Sequence, residues 1–554
     1  HASEGNEKMA KAVRALQYAE IRVRSYRRYN KEIGKDNQAQ SMSQIKVPND
    51  WPPSDQYDPR TTQLSDPKEV KDETEWREIQ DPSEIEKMIM IRNRQHFGQA
   101  EGTPFTAPRL KERFNWAAST REAELVLEGN YTDPELTDIQ NKFLLSCKRS
   151  IPQPQTSPSI TVEQFTSYMS KKRESTSTSP SGRHLGHYKL LFRTIDKNLE
   201  AEERATLCDI QKSILQCYVN LLNYALKHQY SFQRWKNIVN VMLYKDSSDT
   251  RIHRLRVIHM YEADYSFLLS LHWKEACNKA RQGENLNEGQ YGGVPGKECT
   301  TVTLIEELRR DYSELTRTPY GDFDHDAAAC YARIIMALAS LISQKYGVHS
   351  DVVMIQATTL EEAEYRLKMS GKVSEATYKN GKLFPLHGSG QGSSNSPHIW
   401  LFISSVLYDV YDKNSHGMQF STPDRKENHN MGIIGIVDDA TCSTDANPVA
   451  TVEELLQRLA HDAQLWHDLL WCSGGKLELS KCGFHLTHYN FQASGEPRKS
   501  TINLPPINIT NADGLIIPIK AKSIFEPRKN LGHHKCPTNQ FKTQEKVLSV
   551  NAAN

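Results

Sequence analysis

The stretch MGIIGIVDDATCST, residues 431–444, constrains the fold more than any other part of this chain. Apolar residues rich in isoleucine and valine precede two adjacent acids, and small polar residues follow them, the pattern of two short strands joined by a turn. Asp438 and Asp439 are thereby expected side by side at the tip of a hairpin. Two carboxylates in that position repel each other, which is costly unless a cation neutralises them. Taken alone, an Asp-Asp pair is ordinary turn chemistry, because aspartate side chains hydrogen-bond nearby backbone. Its meaning depends on what accompanies it.

At 554 residues the chain exceeds one ordinary core, so two or three domains, or one large body with extensions, are expected. Hydrophobic residues at 38% and charged residues at 25% supply enough apolar material to offset chain entropy over most of the length. No apolar run approaches the ~18 residues of a membrane helix, and no signal sequence opens the chain. A soluble, intracellular protein with no membrane partner is expected. The ten cysteines, Cys147, Cys330, Cys442, Cys482 and Cys536 among them, form no CxxC pairs and predict reduced thiols. Lys plus Arg (69) nearly equals Asp plus Glu (68), so the net charge of +1 neither suggests nor excludes a nucleic-acid partner. Starting at His1 and stopping without an obvious terminal element, the chain reads as a piece of a longer reading frame.

Eight basic residues against one acid between Lys8 and Lys31 predict a basic helix over residues 1–35, either a phosphate-tracking arm or a solvated helix. Residues 36–71, rich in Pro, Gln, Ser and Asp without periodicity, read as a linker. A helical extension over 72–150 follows, carried by DPSEIEKMIMIRNRQHF and ELTDIQNKFLLSCKR and closed by the polar IPQPQTSPS. Beyond it, QKSILQCYVNLLNYALKH predicts a helix and IVNVMLY a strand. TVTLIEELRRDYSEL and ARIIMALASLISQKYG predict amphipathic helices. TVEELLQRLAHDAQLWHDLLWCSGG adds a helix with a capping box at Thr451 and Glu454 and a stop at Gly474-Gly475. Strands and helices in this order predict an α+β body.

Asp326 lies where the extended PYGDFDHD gives way to AAACYARIIMAL. Along the chain come, in order, Asp326 in a DxxxCY context, GSGQGSSNSP, IVDD, GGKLELSKCGF and NLGHHK. This succession resembles the palm motifs of reverse transcriptases, most closely those of non-LTR (LINE-type) retroelements and group II introns, over roughly residues 175–540. The matching positions are Asp326, Cys330 and Tyr331; Gln391, Gly392, Ser393, Ser396 and Pro397; and Ile436, Val437, Asp438 and Asp439. The resemblance implies a right-hand polymerase, with fingers over 175–320, a palm built on an antiparallel sheet over 321–540, and a thumb that begins at 541–554 and is largely absent.

It further implies an RNA-directed DNA polymerase in which Asp326, Asp438 and Asp439 hold two Mg²⁺ or Mn²⁺ ions, with an RNA template, a DNA primer and dNTPs as partners. Tyr331, five residues after Asp326, would lie under the incoming sugar and clash with a 2′-hydroxyl. Gly388, Gly390 and Gly392 would let backbone approach a base pair and primer, with Gln391 bonding a strand. Lys481 would protonate the leaving pyrophosphate, and Lys245 and Arg256 would clamp the β- and γ-phosphates. Arg183 and Lys189 would touch template phosphates, and Leu531 and Gly532 belong to the last motif, beside template and primer. EGQYGGVPGKECTTVTLIEEL would position template. Val257 stands where the family has Pro, Ala332 where many relatives have a second Asp, and Ser389 and Asn395 replace Pro and Leu.

Two other readings remain: a catalytically inactive, RNA-binding remnant of a retroelement, and an RNA-directed RNA polymerase. Cys482, His485 and His488, with His533, His534 and Cys536, offer zinc-ligand types, but their spacing fits no complete finger, and a strand with outward histidines near the primer is the plainer expectation.

Overall fold

The computed structural model describes residues 42–149, 156–173, 181, 183 and 185–535, apart from 295, 329, 370–371, 382–383, 425, 448–449, 495, 500–502 and 531–532, together with 543, 545–547 and 549. The basic helix expected over 1–35, most of the expected thumb start, Leu531, Gly532 and Cys536 lie outside these residues.

The principal elements, in chain order, begin with β1 (Ile45–Pro48), β2 (Trp76–Ile79), α1 (Pro82–Gly98), α2 (Ala201–Lys227), β3 (Asn237–Tyr244) and β4 (Leu255–Met260). There follow α3 (Ala263–Gln282), α4 (Cys299–Thr316), β5 (Tyr320–Asp324), α5 (Met336–Lys345) and β6 (Glu364–Met369). The last are α6 (Ser396–Asn414), β7 (Ile433–Ile436), β8 (Asp439–Asp445), α7 (Val452–Cys472) and β9 (Gly483–Thr487). The expected α+β class holds, and among the described residues no helix is long and apolar enough to cross a membrane.

The chain divides into two compact units, each assembled from three stretches: 1–99, 156–272 and 349–396 in the first, and 100–155, 273–348 and 397–554 in the second. The expected cut at residue 320 therefore differs from the observed division. Pairing explains the difference: β6 joins β3 in parallel, Val239 opposite Arg366, and no local pattern announces a partner so distant in sequence.

In the first unit β3 is central, with β4 antiparallel on one side and β6 on the other. Its residues Ile238, Val239 and Asn240 are buried, as an interior strand requires. The helix α1 starts at an Asp81 cap whose side chain accepts from the Glu84 N–H, with Pro82 pre-set in the first turn. Along α2, Leu215, Val219, Leu222 and Leu226 form the buried stripe. The expected linker contains structure: β1 pairs antiparallel with β2, and Ile45, Val47 and Trp51 are buried. Four residues are too few to display a strand period amid prolines and acids.

In the second unit β7, β8, β5 and β9 form an antiparallel sheet in that order. Alternation gives its faces different characters. Phe323, Cys442 and Phe484 lie side by side on one face, all buried. Asp322, Asp324, Thr441, Ser443 and His485 share the other. The helix α6 is apolar all round, with Leu401, Phe402, Val406, Leu407, Tyr408 and Tyr411 buried, so it is a core helix. The expected capping box opens α7, Thr451 accepting from Glu454 N–H while the Glu454 carboxylate accepts from Thr451 N–H.

A candidate active site on the sheet of the second unit

The hairpin read from the sequence closes with Ile436 opposite Asp439, leaving Val437 and Asp438 as its two-residue turn. Val437 has φ of 57°, a left-handed conformation that is strained for a β-branched residue. Neighbouring groups hold it there. The Val437 carbonyl accepts hydrogen bonds from the Trp400 indole and from Gln290 Nε2, and Gln290 is fixed in turn on Ser404 Oγ at 2.8 Å. The segment EGQYGG runs beside β7, with Tyr291 N–H donating to Gly435 O and Gly435 N–H to Gly289 O, both at 2.9 Å. A Cβ on Gly292 would stand 2.3 Å from Val437 N, so only glycine permits this approach. Sequence reasoning gave that segment to template; here it buttresses the Asp-bearing turn, through Gln290, Gly292 and Trp400.

Strand register aligns the acids. On β5, Asp324 faces Thr441 on one side and Gly483 on the other. Asp326 follows β5 by two residues, Asp439 opens β8, and Lys481 closes the 3₁₀ turn Leu479–Lys481 that leads into β9. The Lys481 ammonium is 2.6 Å from Asp326 Oδ2, and backbone bonds from Glu478 N–H to Asp326 O and from Ala328 N–H to Lys476 O, both 2.8 Å, fix this edge. Asp322 and Asp324, on the same face, are used otherwise. Asp322 accepts from Ser443 Oγ at 2.6 Å, which also receives Arg309 of α4 at 3.0 Å. Asp324 faces His485 Nδ1 at 3.2 Å and Lys522 at 3.8 Å.

The carboxyl of Asp438 is raised above its ordinary range by desolvation and by the charge of Asp326. That of Asp439 is raised by desolvation, then by Asp438 and Asp326. Both residues still touch solvent, so the shifts fix a sign and no energy. Carboxyl groups with raised values in the folded state favour folding most when protonated, below the ordinary value of about 3.9, and oppose it as pH rises through the raised value. Asp438→Asn is therefore expected to unfold at a higher temperature than the parent at pH 7 without divalent ions, the gain vanishing below about pH 3.9. Thermal melts across pH check this; an unchanged or lowered midpoint at pH 7 would contradict it.

Tyr331 follows Asp326 in a short 3₁₀ turn, Cys330–Arg333, anchored by Arg333 Nε on the Gly474 carbonyl at 2.9 Å. Its phenol is raised by burial, then by Cys330 and Asp438, which puts the ring in the field of the turn acid. The donor set is three carboxylates, hard oxygen ligands suited to Mg²⁺ or Mn²⁺. Among the described residues, the group of donors converging within 4.8 Å of one another is a different one, His416, His461 and Asp462.

Other expected site residues lie in the first unit. Lys245 and Arg256 are exposed on one hairpin, Arg256 opposite Leu243 and Lys245 two residues further along that face. Gly388, Gly390 and Gly392 all have positive φ, as expected of a glycine loop. Their close approach is to protein: a Cβ would meet Tyr261 OH at 2.5 Å from Gly390 and His259 O at 2.4 Å from Gly392, while the Gln391 carbonyl accepts from His259 N–H. The Gln391 side chain is exposed, as is Arg183, and Lys189 is half-buried on the short helix Leu185–Leu190. His485 departs from expectation. It lies in a strand but is buried, between Asp324 and the Glu526 carbonyl, because residues 520–522 pair with Phe484 and cover β9. Burial pushes the Cys482 thiol up to about 11.

No protein-family model and no curated protein matches the chain.

Proposed function

We propose that this chain is an RNA-directed DNA polymerase of the retroelement kind, a right-hand polymerase whose palm is the sheet of the second unit and whose fingers belong to the first. The observation that carries the reading is that Asp326 holds the Lys481 ammonium at 2.6 Å while its charge reaches the carboxyls of both Asp438 and Asp439, on a hairpin whose second strand pairs with β5. Separate sequence motifs supply these residues, and polymerisation needs such a carboxylate cluster.

Two Mg²⁺ or Mn²⁺ ions held by Asp326, Asp438 and Asp439 would stabilise the attacking 3′-oxygen and the leaving pyrophosphate oxygen together. The strained turn, braced by Trp400, Gln290 and Gly292, keeps Asp438 from relaxing away from its like-charged neighbours. Lys481 balances Asp326 before substrate arrives and is the cation available to the triphosphate afterwards. Lys245 and Arg256 are paired with no described acid and would meet substrate or template phosphates. The Tyr331 ring would exclude a 2′-hydroxyl. Tyr331→Ala is expected to lower the preference for dNTPs over NTPs by about 10–200-fold, the worth of one small steric group, with dNTP incorporation retained. Single-nucleotide kinetics with dTTP and UTP check it, and an unaltered preference removes the gate assignment.

The test of the whole reading is extension of oligo(dT) on poly(rA) with dTTP and Mg²⁺ or Mn²⁺. Template-dependent incorporation supports it. Binding of RNA without incorporation selects the inactive remnant instead, and extension by UTP in preference to dTTP selects an RNA polymerase.

A further inference from the structure

Away from the carboxylate cluster, α7 carries the adjacent pair His461 and Asp462, and His416 lies just beyond the end of α6. The Asp462 side chain is fully buried, whereas both imidazoles reach solvent. Oδ2 of Asp462 accepts from Gly417 N–H at 3.2 Å and from the Thr444 hydroxyl at 2.6 Å. Oδ1 meets three nitrogens: His416 N–H at 2.9 Å, His416 Nδ1 at 3.0 Å and His461 Nδ1 at 3.1 Å. Among the described residues no lysine or arginine pairs with this carboxylate.

Two difficulties meet at one atom. A buried carboxylate is costly unless a counter-charge faces it, and the groups within reach here are the two imidazoles, which carry charge only when protonated. In addition, Oδ1 already accepts from His416 N–H, and the two Nδ1 atoms either compete for its remaining lone pair as donors or turn their own lone pairs toward it, according to tautomer. A divalent cation removes both, since it supplies the charge and takes a lone pair, in place of a proton, from each Nδ1. The rings suit this, with centroids 5.0 Å apart at 82° and the three donor atoms within 4.8 Å of one another. With metal–ligand bonds of about 2.1 Å, nitrogen–oxygen gaps of 3.0 and 3.1 Å subtend roughly 90° at the ion. Such a corner of two imidazoles and one carboxylate leaves positions open for water. The bonds from Gly417 and Thr444 fix the carboxylate from behind, the supporting role that metal sites need.

We propose that His416, His461 and Asp462 bind a divalent transition-metal ion of the Zn²⁺, Co²⁺ or Ni²⁺ class, which ties the turn after α6 to α7. Imidazole donors select these ions over Mg²⁺, so the site is chemically distinct from the carboxylate cluster and independent of the polymerase reading. An ion bound to the folded chain stabilises it by mass action.

The test uses the full chain without a polyhistidine tag, stripped with chelator and titrated with Co²⁺ in excess Mg²⁺. Calorimetry and visible absorption are expected to give one tight Co²⁺ per chain and a raised unfolding midpoint. His416→Gln/His461→Gln, whose changes are both on exposed rings, is expected to keep the parent circular dichroism and lose the bound Co²⁺ and the midpoint shift. Asp438→Asn is expected to keep both. Absence of stoichiometric Co²⁺ in the parent, or equal binding by the double variant, overturns the proposal, as does loss of binding in Asp438→Asn.

Discussion

Asp438→Ala is expected to reduce primer extension on an RNA template by roughly 10³-fold or more, about 4 kcal/mol of transition-state stabilisation, while leaving the fold intact. The side chain is exposed on a turn whose backbone is held by Trp400 and Gln290 through the Val437 carbonyl, so truncation removes the proposed ligand and little packing. Asp326→Ala is expected to do the same and also to release Lys481. Ala at Asp513, an exposed acid in a loop, serves as the control and should extend primers at the parent rate. Equal incorporation by Asp438→Ala and parent would remove the catalytic assignment of the turn.

A second large effect is expected on stability, in the first unit. Asp264 is fully buried at the start of α3 and accepts from Arg234, from the Trp235 indole at 3.1 Å, from the Tyr218 hydroxyl at 2.7 Å and from Tyr265 N–H at 3.0 Å. Arg234 also faces the buried Glu262 at 3.3 Å. Replacing Arg234 by Met leaves two carboxylates without their cation, at an expected cost of about 3–5 kcal/mol. Urea unfolding followed by tryptophan fluorescence measures it, because Trp235 reports on this cluster. A change under about 1 kcal/mol would mean that the tyrosine, indole and backbone donors carry the charge alone.

How much of this could be read in advance depended on how local each cause was. The Asp438-Asp439 hairpin was legible because a two-residue period and turn chemistry both act over a few residues. The cap of α7 was legible for the same reason, from Thr451 and Glu454 alone. Among the three aspartates of PYGDFDHD, the DxxxCY context set Asp326 apart, while Asp322 and Asp324 share one face of β5 and looked alike. The partners separate all three, Ser443 for the first, His485 for the second and Lys481 for the third, each more than a hundred residues away. The strand Ile45–Pro48 was hidden by brevity, and the burial of His485 by a covering segment later in the chain. The support of the turn by Gly292 and Trp400 rests on close approach in space, for which a glycine in sequence is the sole and ambiguous signal.

The three-stretch make-up of each unit also governs how the chain matures during synthesis. The central strand of the first unit, Asn237–Tyr244, waits for Glu364–Met369 to leave the ribosome before its parallel edge is covered. In the same way Tyr320–Asp324 waits for Gly483–Thr487. The first unit has all its stretches once residue 396 has emerged, whereas the second waits for Gly483–Thr487, so nascent chains expose open strand edges over a long interval, and yield on expression should rise with slower elongation or with chaperones that shield such edges.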